Sequence, residues 1–106
     1  MPEYYTASHD GTRLAFTPAP GGDAGSAPPA GYRSVWRMGD AENLWCEACR
    51  PPKGPGGLVF VRDFDETLMV VHAPTHLAFV ETLGHFARLV TYGRYAADIH
   101  EYDDED

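Results

Sequence analysis

Leu58-Val-Phe-Val-Arg-Asp-Phe-Asp-Glu-Thr-Leu-Met-Val-Val-His-Ala-Pro-Thr-His-Leu-Ala-Phe-Val-Glu-Thr-Leu-Gly-His-Phe-Ala-Arg-Leu-Val90 is the stretch that decides the fold. It opens on a β-rich apolar run, breaks over Phe64-Asp65-Glu66, and resumes with Thr67 to His72. Two such runs around a short polar connection predict an antiparallel hairpin over 58–72. Pro74 suits a first helical turn, where its missing N–H costs nothing. At 100° per residue, Phe79, Val80, Leu83, Phe86, Ala87 and Val90 fall within one arc of roughly 120°, with Glu81, His85 and Arg88 outside it. This spacing predicts one main helix over about 75–91. Gly93 is its natural stop, and residues 94–102 add a short frayed helix.

Upstream the signals are shorter. Residues 3–8 and 12–17 flank an Asp10-Gly11 turn and read as a hairpin. Residues 18–31 hold four Pro, four Gly and four Ala and read as a flexible loop. Residues 32–38 read as a strand, Asn43 to Cys46 as a short extended piece, and 50–57 as a second loop. The expected fold class is α+β: a small antiparallel sheet, made of the 58–72 hairpin and the N-terminal strands, packed by one main helix. Residues 1–97 form a single domain and 98–106 an acidic C-terminal tail.

Length and charge set outer bounds. At 106 residues the chain suits one domain. Its formal net charge is −8. Six of the 16 acids lie in residues 98–106, leaving ten acids against eight bases over residues 1–97. No basic stripe exists to neutralise phosphates, which argues against nucleic-acid binding. No apolar run is long enough to span a bilayer, and no secretory h-region is visible. The expected setting is therefore cytoplasmic, without a membrane.

The two cysteines lie in Cys46-Glu-Ala-Cys49, followed after 22 residues by His72-Ala-Pro-Thr-His76. A C-x2-C knuckle and two histidines supply the four N/S ligands of a tetrahedral zinc. Cys46, Cys49, His72 and His76 are thus the candidate metal ligands, and the ion would be structural. The order of knuckle, hairpin and helix resembles a treble-clef-like zinc arrangement. The alternative reading leaves two reduced thiols and two ordinary packing histidines.

Other motifs resemble known families locally. Trp45-Cys46-Glu-Ala-Cys49 with Ala73-Pro74-Thr75 resembles the W-C-x-x-C and proline loop of thioredoxin-like oxidoreductases, which implies a redox pair. That chemistry needs the first cysteine at a helix N-terminus, and Arg50-Pro51-Pro52 cannot continue a helix. Val59 to Leu68 resembles the first motif of haloacid dehalogenase-type phosphatases, which implies Asp63 as nucleophile and Asp65 as general acid. Only 39 residues follow Thr67, and no Lys follows Lys53. Asp10 to Ala15 resembles an opening strand of α/β-hydrolases, with no nucleophile elbow after it.

The expected function is a small non-enzymatic interaction or regulatory protein. Its partner is a protein with a basic surface, and a second copy could cover apolar surface left by one helix on a small sheet, as a homodimer. A thiol oxidoreductase using Cys46 and Cys49 is the alternative. An inhibitor that docks through its acidic tail is the third.

Overall fold

A computed structural model describes residues 2–19, 27–39, 44–64 and 66–103, with side chains as far as Val90. Its centre is the hairpin of β5 (Gly57–Asp63) and β6 (Glu66–Ala73). Along β5, Val59 and Val61 point to one face, and Leu58 and Phe60 to the other. All four are buried. Both faces are covered here, so the strand is apolar from Gly57 through Val61 and shows no alternation there.

Six strands form one sheet in the order β2-β1-β6-β5-β4-β3. The remaining strands are β1 (Glu3–His9), β2 (Leu14–Pro18), β3 (Arg33–Gly39) and β4 (Leu44–Arg50). The small antiparallel sheet expected from the sequence is corrected on two points. The sheet is larger, and it is mixed: β1 runs parallel to β6, pairing Tyr5 with Val71, while every other neighbour is antiparallel. A pairing between the first and last strands joins distant segments and leaves no turn signature to read. The class remains α+β.

The first hairpin forms as its turn chemistry predicts. Asp10 Oδ1 accepts hydrogen bonds from Thr12 N and Arg13 N, both 2.8 Å, and Gly11 takes φ 96°. These bonds hold the Asp10 carboxyl below its ordinary pKa. Strands β2 and β3 are consecutive in sequence yet lie at opposite edges. Residues 19–32 therefore join edges five strand spacings, about 24 Å, apart. Of the loop expected over 18–31, residues 20–26 lie outside the described residues, and Pro18 is the last residue of β2.

Helix α1 (His76–Asp103) covers one face of the sheet. Thr75 caps it, its Oγ1 accepting from Ala78 N at 3.1 Å, so Pro74 sits just outside the helix and not in its first turn. The helix does not stop at Gly93. An interior glycine costs only about 1 kcal/mol relative to alanine, too little to end a helix by itself. The expected acidic tail thus begins as helical backbone through Asp103, and residues 104–106 lie outside the described residues.

The buried stripe of the helix is Ala78, Phe79, Thr82, Phe86 and Val90, whereas Val80 is 45% exposed. The contact face is thus rotated by roughly 60° from the expected arc. Thr82 explains the error. A hydroxyl counted as polar is buried because its Oγ1 donates to Ala78 O at 2.6 Å.

Candidate functional site

The four expected zinc ligands are not brought together. Cys46 and Cys49 both lie within β4, where successive side chains alternate between faces. Cys46 joins the helix-side core with Ala48 and Val59, and Cys49 joins the opposite cluster with Leu58, Phe60 and Val70. Three residues of extended chain separate their Cα atoms by about 10 Å, well beyond the 4.4–6.8 Å that a disulfide needs. His72 is exposed on the helix-free face, in register with Leu58. His76 is exposed at the start of α1, where its Nδ1 accepts from Arg50 Nη2 at 3.1 Å. Among the described residues, no group of three or more His, Cys, Asp or Glu could hold a metal ion. The C-x2-C spacing misled because it makes a knuckle only on a turn. On a strand it splits the pair.

Burial also makes both thiols poor nucleophiles. Cys46 is fully buried and its thiol is pushed up to about 11. Cys49 is raised by burial first, then by the negative charge of Glu47. In the folded protein at pH 8 neither thiol is expected to react with a thiol-specific dye faster than the chain unfolds, while both react at once in urea. Dye uptake by the folded chain at the rate of free cysteine would restore the redox reading.

The helix-free face of β3, β4 and β5 carries a different constellation. Arg62 lies over the ring of Phe60 at 5.2 Å and over that of Trp45 at 5.2 Å, and Arg37 lies over Trp45 at 5.4 Å. The result is a ladder across three strands: Phe60, Arg62, Trp45, Arg37. Glu47 ties both cations. Its Oε2 accepts from Arg37 Nε at 3.0 Å and lies 2.9 Å from Arg37 Nη2, and its Oε1 lies 3.5 Å from Arg62 Nη2. The side chains of Glu47 and Arg62 are only 8% and 17% exposed, against 66% for Arg37. Arg62 Nε is buried without a hydrogen-bond partner.

The ladder abuts the tip of the β5–β6 hairpin. Trp45 Nε1 donates to Phe64 O at 2.8 Å. Phe64 takes φ 61°, the one positive φ outside glycine among the described residues, and the residue is 59% exposed. Asp63 and Glu66, on either side of the tip, are exposed. Asp63 therefore ends a strand that turns straight back, which is not the setting of a phosphatase nucleophile. Asp65 lies outside the described residues. In the sequence Phe64 is one residue of a short polar hairpin connection, and no linear spacing marks the cross-strand alignment of Arg37, Trp45 and Arg62. A lone Glu47 between Trp45-Cys46 and Ala48-Cys49 was the available signal.

No helix among the described residues is long and apolar enough to cross a membrane. The chain matches no protein-family model, no curated protein and no solved structure, so its own geometry carries the functional reading.

Proposed function

We propose that the chain is a small protein-interaction module whose docking element is the tip of the β5–β6 hairpin. The observation that carries this is Phe64, a large apolar side chain that is exposed and in a left-handed backbone conformation. Tight hairpin turns take Asn or Gly at such positions. A bulky residue there costs about 1–2 kcal/mol. A residue that stays 59% exposed returns little of that to the fold, because most of its surface remains in water. Such an outlier makes sense when the ring is buried by something else. Large aromatic anchors dominate binding energy at protein interfaces. The Trp45 indole fixes the Phe64 carbonyl, so the anchor is held in place before binding and loses little freedom on docking.

The substitution Phe64→Gly separates stability from binding. Glycine accepts φ 61° without strain, so the variant is expected to gain about 1 kcal/mol in urea unfolding. The same variant should lose its partners. Random peptides displayed on phage, selected on the full chain and depleted on Phe64→Gly, should yield binders that discriminate the two proteins. Peptides that bind both equally would overturn the reading.

A further inference from the structure

We infer that the partner receiving this tip presents a cationic rim around an apolar pocket, an inference that rests on the tip being the docking element. The ring of Phe64 is the apolar part. Around it stand Asp63 and Glu66, both exposed. Among the described residues the ion pairs are those of Glu47 with Arg37 and Arg62, so no salt bridge neutralises Asp63 or Glu66. The nearby guanidinium groups are held along the sheet against Trp45 and Glu47.

Two exposed carboxylates, one on each side of the tip, set the chemistry of any surface that closes over Phe64. An acidic rim would repel them. An uncharged one would desolvate them with nothing in return. A rim of Lys or Arg pairs them and also steers the approach of a chain whose net charge is −8. The occupant is therefore a protein segment that combines cationic and aliphatic side chains.

A labelled peptide of alternating Lys and Leu, with a Glu/Leu twin, tests this by fluorescence anisotropy. The Lys/Leu peptide should bind the full chain and the twin should not. Asp63→Asn with Glu66→Gln, two exposed substitutions, should weaken binding at least tenfold. Raising salt from 50 to 300 mM should do the same. Phe64→Gly should abolish binding. Equal affinity for the two peptides, or no binding of the Lys/Leu peptide, overturns the inference. If the double substitution leaves the dissociation constant within twofold while Phe64→Gly still abolishes binding, the cationic rim fails and the docking tip stands. Affinity unchanged by Phe64→Gly overturns both.

Discussion

Replacing Glu47 by Ala is expected to cost about 3–5 kcal/mol in urea unfolding, the usual penalty for removing one partner of a buried ion pair. The reason lies in Arg62 more than in the glutamate. Its side chain is 17% exposed and its Nε already lacks a hydrogen-bond partner. Glu47 is the carboxylate that offsets this charge. Without it a guanidinium stays in a largely dry site between Phe60 and Trp45. Arg37 loses the same partner but is mostly exposed, so water replaces it cheaply.

Two further variants decide whether the charge is the cause. Glu47→Gln keeps an acceptor and should cost clearly less than Glu47→Ala. Glu47→Leu combined with Arg62→Met removes both charges and should recover most of the loss, since well-packed apolar replacements of buried pairs are often neutral or stabilising. A double variant as unstable as Glu47→Ala would show that β4 needs Glu47 for shape and not for charge. Loss of the ladder should also release Trp45 and with it the Phe64 carbonyl. On the proposed function, Glu47→Ala that is still folded binds tip-selected peptides more weakly than the parent.

The parts of this fold that were legible in the sequence were the local ones. Asp10-Gly11 announced a turn, and the two apolar runs of 58–72 announced a hairpin, because the cause of each lies within a few residues. The parallel pairing of β1 with β6 is stabilised by contacts some 65 residues apart in sequence, so no window contains its cause. The candidate site failed for a related reason. Cys46, Cys49, His72 and His76 were grouped by spacing, and spacing has opposite meanings on a turn and on a strand. Whether residues 44–50 are strand or knuckle is settled by β3 and β5, which pair with β4 on both sides. The aromatic–arginine ladder is likewise a property of register: it aligns Arg37 with Glu47 and Trp45 with Arg62.

Gly57 shows how far a local reading can mislead, and Gly57→Ala is expected to destabilise the fold by about 3 kcal/mol or more, the upper end of overpacking costs. Composition places Gly57 at the end of a Pro/Gly loop, where alanine would be harmless or slightly stabilising. The structure makes it the first residue of β5, fully enclosed. A Cβ there would collide with the carbonyl oxygen of Cys49 and come within 2.5–2.9 Å of the Phe79 ring. Neither neighbour has room to yield. Phe79 is 1% exposed, and the Arg50 guanidinium is stacked on it at 4.5 Å. Arg50 is in turn tied to Pro55 O at 3.0 Å and to His76 at 3.1 Å. The absence of one methyl group thus lets β5, β4 and the first turns of α1 meet. Phe79→Leu in the Gly57→Ala background should recover only part of the loss, because the clash with the Cys49 carbonyl remains. The control is Gly54→Ala, three residues earlier. Nothing lies within 4 Å of the added Cβ there, so its cost comes only from φ 110°. Gly57→Ala with a urea midpoint equal to that of the parent would mean that the helix does not dock on β5 as described.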